Sequence, residues 1–70
     1  MAQKITVLGG GESGVGAALL ARRKGLEVFL SEKGTIRDAF KEELAAHRIP
    51  YEEGGHRRER LFGADEIIKS

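Results

Sequence analysis

The sequence predicts an α/β fold with a small parallel sheet. Apolar runs rich in β-branched residues alternate with segments of helical periodicity, and no hairpin signal separates neighbouring strands. The first apolar run does not strictly alternate, which is typical of a strand buried on both faces. Right-handed crossovers would then give a parallel sheet of about four strands with helices on its faces. The strand order that we expect is 3-2-1-4.

The first half of the chain predicts a strand, a helix and a second strand. Lys4–Leu8 is a short β-branched run, and Gly9 follows it directly. A helix is expected over residues 13–24, because small residues allow close packing and basic residues suit its final turn. Gly25 is then expected to cap this helix in a left-handed conformation. The second strand is predicted over residues 27–31.

A second helix is predicted over residues 36–47. Thr35 is a good N-cap residue and stands directly before this segment. Ile36, Phe40 and Leu44 recur every four positions, so they would form one apolar stripe along the helix.

The last third of the chain predicts shorter elements. Residues 49–51 are expected to form an edge strand, because Pro50 has no N–H to donate within a sheet. A loop is expected over residues 52–56, and one or two helical turns over residues 57–62. A final strand is predicted over residues 65–69.

Length and composition restrict the possible functions. Seventy residues predict one compact domain over residues 1–70. The 12 Lys and Arg balance 11 Asp and Glu, so the charge does not indicate a nucleic-acid partner. The apolar runs are too short to span a membrane, and no cysteine is present for a disulfide or a zinc site. We expect neither a metal site nor catalytic residues, because no suitable ligand spacing or nucleophile arrangement is found.

A glycine-rich loop joins the first strand to the first helix. Residues 9–14 read Gly-Gly-Gly-Glu-Ser-Gly, which fits the pattern G-x-G-x-x-G. The pattern is informative here because it follows a predicted buried strand and opens a predicted helix within a βαβ unit. In such a Rossmann-like loop, Gly9 makes the tight turn, Gly11 allows close approach of a ligand and Gly14 packs the helix against the strand. The loop N–H groups and the positive helix end favour a phosphate or pyrophosphate. The alternative is a sharp turn with no ligand.

Several polar residues near this loop allow two interpretations each. The Glu12 side chain is expected to complement the helix dipole, while its N–H faces the anion. Ser13 would either cap the helix or donate its hydroxyl to phosphate. Glu32 ends the second strand, where it would accept hydrogen bonds from a ribose or remain a solvated carboxylate. His47 is expected to be structural. His56 follows two glycines in a loop, so it is expected to be exposed and available for a functional role.

The glycine loop and its surroundings resemble the start of the Mur ligases. The similar segments are residues 5–21, residues 25–32, the Glu-Gly-Gly-His stretch at 53–56 and the Ala-Asp-Glu-Ile-Ile-Lys-Ser end at 64–70. Together they cover nearly the whole chain. The branch of the family that it most resembles adds D-glutamate to UDP-N-acetylmuramoyl-L-alanine.

The resemblance implies a longer, three-domain cytoplasmic enzyme of peptidoglycan synthesis, which serves cell wall biogenesis, cell shape and cell division. Its N-terminal domain would be a Rossmann-like fold of three layers that binds the UDP end of UDP-N-acetylmuramoyl-L-alanine. ATP and Mg²⁺ would act through a P-loop in the central domain, and this sequence contains no G-x-x-x-x-G-K-[ST] pattern. The chain alone is therefore expected to bind no cofactor, to have no ligase activity and to partner the missing central and C-terminal domains.

The resemblance also implies which residues bind the substrate. Ser70 would approach the muramoyl part. The family often has a Thr-Arg type pair after the strand-end acid, whereas this chain has Lys33 and Gly34 there. Lys33 or Arg37 would then replace the arginine that stacks on uracil. The residues implied for the UDP moiety are Gly11, Glu12, Ser13, Gly14, Glu32 and Lys33.

Two other classes of function remain open from the sequence. The first is an NAD(P)-type dinucleotide-binding module of an oxidoreductase, or a regulatory nucleotide sensor, which Glu32 supports. The second is a structural or interaction fragment that has lost its ligand affinity. The identity of the bound nucleotide distinguishes these possibilities.

Overall fold

The described residues form four strands and two helices. In order, these are β1 (Lys4–Leu8), α1 (Glu12–Arg23), β2 (Glu27–Glu32), α2 (Asp38–Ala46), β3 (Tyr51–Glu53) and β4 (Glu66–Lys69). The structure is a computed structural model, and it describes residues 3–57 and 63–69. All strands are parallel and follow the order β3-β2-β1-β4, so the predicted Rossmann-like α/β class and strand order are confirmed.

Strand β1 lies inside the sheet and pairs with a neighbour on each side. It pairs with β2 from Lys4 opposite Glu27 to Leu8 opposite Ser31, and it pairs with β4 on its other side. Three consecutive residues in the middle of β1 are buried, which agrees with the prediction of a strand covered on both faces of the sheet. Because the strands are parallel, their carboxyl ends lie along one edge, where open α/β sheets bind ligands.

Both helices pack with the strands in one hydrophobic core. Leu44 of α2 is fully buried and belongs to the same cluster as Val15 of α1. None of the described helices is long and apolar enough to cross a membrane. The buried core residues are Ile5, Val7, Val15, Ala18, Ala21, Val28, Leu30, Ile36, Leu44 and Ile49.

The end of α1 shows the predicted glycine cap. Gly25 has a φ of +84°, a left-handed conformation that glycine adopts without a Cβ penalty. Its N–H donates to the Arg22 carbonyl at 3.0 Å, and the Leu26 N–H donates to the Ala21 carbonyl at 3.2 Å. This pair of bonds is the Schellman motif, which satisfies two carbonyls at the helix end.

The second helix begins later than the sequence predicts. Arg37, rather than Thr35, holds the N-cap position of α2, so the predicted start at residue 36 is wrong. Ile36 lies before the helix and is only 1% exposed. Its N–H donates to Glu53 Oε1 at 2.8 Å. Ile36 therefore fills the core from the segment between β2 and α2, because a side chain from β3 satisfies its backbone.

The elements after α2 also differ from the prediction. The predicted edge strand is present, but its bounds differ from the prediction. It begins after Pro50 and includes Glu52 and Glu53, for which the sequence predicts a loop. The Pro50 carbonyl accepts a hydrogen bond from the Leu30 N–H at 3.1 Å, so pairing with β2 continues into the residues beyond it. One or two helical turns are predicted over residues 57–62. Arg57 is not helical, and residues 58–62 lie outside those described.

Candidate functional site

The glycine loop packs tightly at the carboxyl edge of the sheet. Gly9 has a φ of +119°, and its N–H donates to the Ser31 carbonyl at 2.8 Å. A Cβ on the buried Gly10 would lie 2.8 Å from Ile36 Cγ1 and 3.1 Å from Glu32 Cβ. Gly9 thus has the predicted turning role. Gly10, to which the motif assigns no role, is the position where the loop approaches its neighbours most closely.

The first turn of α1 is open at its N-terminus. Gly11 is the N-cap residue, and among the described residues no side chain caps the helix. The cap position belongs to Gly11, so of the two roles considered for Ser13, helix capping is wrong. A Cβ on Gly11 would meet nothing within 4 Å. The helix therefore directs N–H groups without a side-chain cap toward open space, as an anion site requires.

A cavity of about 240 Å³ adjoins this helix end. It brings together three of the residues that the sequence implied, Gly11, Glu12 and Glu32. Ser13, Gly14 and Lys33 do not line it, and Ser70 lies outside the described residues. The lining residues are Gly10, Gly11, Glu12, Glu32, Thr35, Arg37 and Phe40.

Sequence reasoning missed two side chains of this cavity, Thr35 and Phe40. Both had been assigned to the second helix, as its cap and as part of its apolar stripe. The signal that could have found them is topological, because the segment after β2 meets the loop after β1 at the same edge of a parallel sheet. Arg37, named as a substitute for the uracil-stacking arginine, does line the cavity.

Glu32 joins the two walls of the cavity. Its Oε1 accepts a hydrogen bond from the Gly10 N–H at 2.5 Å, and its Oε2 accepts one from the Gly34 N–H at 2.7 Å. These two bonds, with a smaller contribution from the charge of His56, lower the pKa of the Glu32 carboxyl below its usual range. The carboxylate is therefore charged at neutral pH and holds the glycine loop against the turn after β2.

An ion pair supports the outer wall of the cavity. Lys41 Nζ lies 2.6 Å from Glu53 Oε2, while the other oxygen of Glu53 accepts the Ile36 N–H. The hydrogen bond between them raises the pKa of Lys41 and lowers the pKa of Glu53. Glu53 thus ties α2 and the segment that carries Thr35 to the edge strand β3.

Three polar side chains form a second cluster at the carboxyl end of β2. The fully buried Ser31 Oγ lies 2.6 Å from Glu52 Oε2 and 2.5 Å from His56 Nδ1. Glu52 Oε2 also accepts the Arg57 N–H at 3.0 Å. The sequence did not predict this cluster, because Ser31 and Glu52 become neighbours only through the register of β2 and β3.

The described residues provide no cluster of metal-ligating side chains. Within residues 3–57 and 63–69, no three His, Asp or Glu side chains are placed to hold a metal ion. The sequence also lacks the P-loop pattern. No step of a ligase reaction is therefore assigned to these residues.

A larger cavity of about 510 Å³ lies at the opposite end of the sheet. Its walls include the amino halves of β1 and β2, together with Gly63 and Ala64. The last two adjoin residues outside those described, and open α/β sheets bind ligands at the other edge. The smaller cavity beside the glycine loop is therefore the candidate site.

Comparisons with known proteins point to one family. Residues 4–70 match the family model described as the MurD N-terminal domain. The chain is 61% identical over 66 residues to the UDP-N-acetylmuramoylalanine--D-glutamate ligase of Porphyromonas gingivalis, a match that covers 94% of the chain and 15% of that protein. Ligases of the same name from Bacteroides thetaiotaomicron and Christiangramia forsetii are 50% and 49% identical, covering 97% and 100% of the chain and 15% and 16% of those proteins. The chain thus spans about 15% of the length of the curated relatives it matches.

Proposed function

The chain belongs to the family of MurD N-terminal domains, which matches residues 4–70, and we propose that it binds the UDP part of UDP-N-acetylmuramoyl-L-alanine. The full-length relatives are named as ligases that join UDP-N-acetylmuramoylalanine to D-glutamate. A domain of this family at the start of such an enzyme would hold the nucleotide end of that substrate while the rest of the protein performs the reaction.

The observation that carries the proposal is the open N-terminus of α1 beside the cavity. A diphosphate placed there would accept hydrogen bonds from the N–H groups of Gly11, Glu12 and Ser13, since the first turn of a helix has no internal partners for them. The positive helix end would offset the negative charge of the diphosphate. Gly14 is buried and would contribute by keeping α1 close to the sheet.

The remaining walls of the cavity suit a nucleoside. Phe40 and the planar guanidinium of Arg37 are flat groups on which a base can stack. Glu32 would accept a hydrogen bond from a ribose hydroxyl, since each carboxylate oxygen has a second lone pair beyond the one that accepts from a backbone N–H. The exposed Lys33 follows it and would add positive charge. The cavity volume of about 240 Å³ is below the usual range of about 300–1,000 Å³ for a whole ligand site, so it would hold only part of the substrate.

The rest of the reaction belongs to the remainder of the parent protein. We propose that ATP and Mg²⁺ bind in the missing central and C-terminal domains, because this sequence lacks the P-loop pattern and the described residues contain no group of three possible metal ligands. Ser70 would approach the muramoyl part of the substrate, and the parent would act in the cytoplasm in peptidoglycan synthesis. The chain alone would have no ligase activity. Detection of ATP-dependent addition of D-glutamate by the purified chain would contradict this part of the proposal.

One alternative function has an observation in its favour. Glu32 stands at the end of β2, where NAD-binding folds place the acidic residue that binds ribose. A dinucleotide module of an oxidoreductase, or a regulatory nucleotide sensor, would therefore use the same loop and the same acid. Binding of NAD without binding of uridine nucleotides would favour this alternative.

The Gly11→Val variant tests the site directly. The side chain would project into the cavity that Gly11 lines, and a Cβ there meets no other atom within 4 Å, so the fold should be retained. We expect UDP affinity to fall at least about tenfold, which corresponds to about 1.4 kcal/mol. Gly16→Ala is the matched control, because Gly16 lies on the exposed side of α1 and also has free space around it. Unchanged UDP binding by a folded Gly11→Val variant would show that the loop is not the site.

A further inference from the structure

His56 does not line the candidate cavity, and the hydrogen bonds around it show which of its ring nitrogens is the donor. The Ser31 hydroxyl has a single proton, which it donates to Oε2 of the Glu52 carboxyl group. The Ser31 oxygen is then the acceptor for His56, whose Nδ1 must carry a proton. Nδ1 is therefore the ring nitrogen that donates to Ser31.

This order of hydrogen bonds excludes a nucleophilic serine. In a catalytic triad the serine donates its proton to the histidine, which acts as the base. Here the serine donates to the glutamate and accepts from the histidine, and Ser31 is fully buried. The cluster therefore orients His56 and does not activate Ser31.

The backbone before His56 lies against the turn that bounds the cavity. The Gly54 N–H donates to the Gly34 carbonyl at 2.8 Å, and the Gly55 N–H donates to the Glu32 carbonyl at 3.4 Å. The two glycines have φ values of +79° and +150°, which other residues rarely adopt. The segment 54–56 thus crosses the end of β2 in a conformation that glycine adopts and other residues rarely do.

We propose that His56 is a positioning residue of the candidate site, an inference that rests on the proposed function. Its Nδ1–H, held by Ser31 and Glu52, fixes the segment 54–56 against Glu32 and Gly34. Glu32 in turn fixes Gly10 through its carboxylate. His56 thereby keeps the glycine loop in position without touching the ligand, and it is absent from the described lining of the cavity.

Two substitutions separate positioning from ligand contact. His56→Ala removes the donor to Ser31, whereas His56→Asn keeps an N–H donor near the position of Nδ1 and removes Nε2. We expect His56→Ala to weaken UDP binding by about fivefold, the effect of one ordinary hydrogen bond. We expect His56→Asn to bind within about twofold of the unsubstituted chain.

His47→Ala provides the matched control for loss of a histidine. Its Nδ1 lies 2.9 Å from the Glu43 carbonyl at the end of α2, and it has no hydrogen bond to the segment 54–56 among the described residues. Its UDP affinity should be unchanged. If His56→Asn loses as much affinity as His56→Ala, Nε2 contacts the ligand and the positioning role is wrong. If His56→Ala binds UDP normally, the proposal is also wrong.

Amide hydrogen exchange tests the same inference without any ligand. We expect faster exchange at Gly54, Gly55 and Gly10 in His56→Ala, and restoration of slow exchange in His56→Asn. Imidazole nitrogen shifts should show a proton on Nδ1 of His56. If the unsubstituted chain binds no UDP, the proposed function fails, and exchange alone decides the role of His56. Equal exchange in both variants and the unsubstituted chain would overturn it.

Discussion

The carboxylate of Glu32 accepts a hydrogen bond from the backbone N–H of Gly10, 22 residues earlier in the chain. The second oxygen of the same carboxylate accepts the Gly34 N–H in the turn directly after β2. One side chain therefore joins two loops that leave neighbouring strands, and the candidate cavity lies between them. Its charge is part of this arrangement, since a carboxylate accepts from two backbone donors more strongly than a neutral group.

The Glu32→Gln variant should be less stable at neutral pH. The neutral amide presents one acceptor and one donor, so it cannot accept from both backbone N–H groups. Hydrogen bonds to a charged group contribute about 1.5–3 kcal/mol when shielded, and partial exposure reduces this to about 1–2 kcal/mol for the variant. Urea denaturation followed by circular dichroism measures this difference in the free energy of unfolding.

The same variant should change the dependence of stability on pH. The pKa of Glu32 is lowered in the folded chain. The contribution of the Glu32 carboxylate to the free energy of unfolding is therefore fully present above the ordinary glutamate pKa of about 4.3. It is lost as the pH falls through the lower pKa of the folded chain. From about pH 7 to about pH 3, the unsubstituted chain should lose more stability than Glu32→Gln. Parallel curves for the two chains would contradict the account of this carboxylate.

Gly10→Ala should destabilise the fold, because the added methyl group would lie 2.8 Å from Ile36 Cγ1. Overpacking of this kind costs about 1–3 kcal/mol. Gly16→Ala should instead stabilise the chain by about 0.5–1 kcal/mol, since Gly16 lies in α1 with free space around it. Thermal unfolding of both variants tests the contrast, and a Gly10→Ala chain as stable as the unsubstituted one would show that the loop has room.

Gly25→Ala should cost about 1 kcal/mol, because φ of +84° places a Cβ in a strained position. Gly25→Asn should recover part of this loss, since asparagine tolerates the left-handed conformation better than alanine. A Cβ at this position meets no other atom within 4 Å, so the difference would report the backbone alone. Equal stability of the two variants would contradict the left-handed cap.

Leu44→Ala should be among the more damaging single truncations in α2. Leu44 is fully buried in the shared core, and removal of such a side chain costs about 2–5 kcal/mol. Leu20→Ala is the control, because Leu20 is 54% exposed on α1 and should lose less than about 1 kcal/mol. Chemical denaturation of the two variants measures the difference, and similar losses would mean that the core does not extend under α2 as described.

The sequence contains enough information for the topology but not for every boundary. The β-branched run of β1 and the cap at Gly25 are local signals, and they predicted the first strand and the end of the first helix. The strand order was part of the predicted fold as a whole, and it is confirmed. Ile36 shows where local signals end. Its spacing from Phe40 suits a helix, but a backbone hydrogen bond to Glu53 holds it outside α2. No local pattern reports that partner, because it comes from a different strand.

Some residues of the candidate site were predictable from the sequence, and others depend on tertiary contacts. Gly11, Glu12 and Glu32 were found from the motif and line one cavity. Phe40 was assigned to a helix stripe, and its place in the cavity wall depends on where α2 begins. Ser31 and His56 were separate features of the sequence, and the pairing of β2 with β3 brings them into one cluster with Glu52. Such contacts follow from register, which sequence periodicity does not fix.

Titration of the folded chain with three ligands tests the central claim most directly. UDP-N-acetylmuramoyl-L-alanine, UDP and NAD would each be added while backbone amide shifts are followed by NMR. The account predicts movement at Gly10 to Gly14 and around Glu32 and Arg37 with the two uridine ligands, and none with NAD. Movement with NAD alone, or no movement with any of the three ligands, would contradict it.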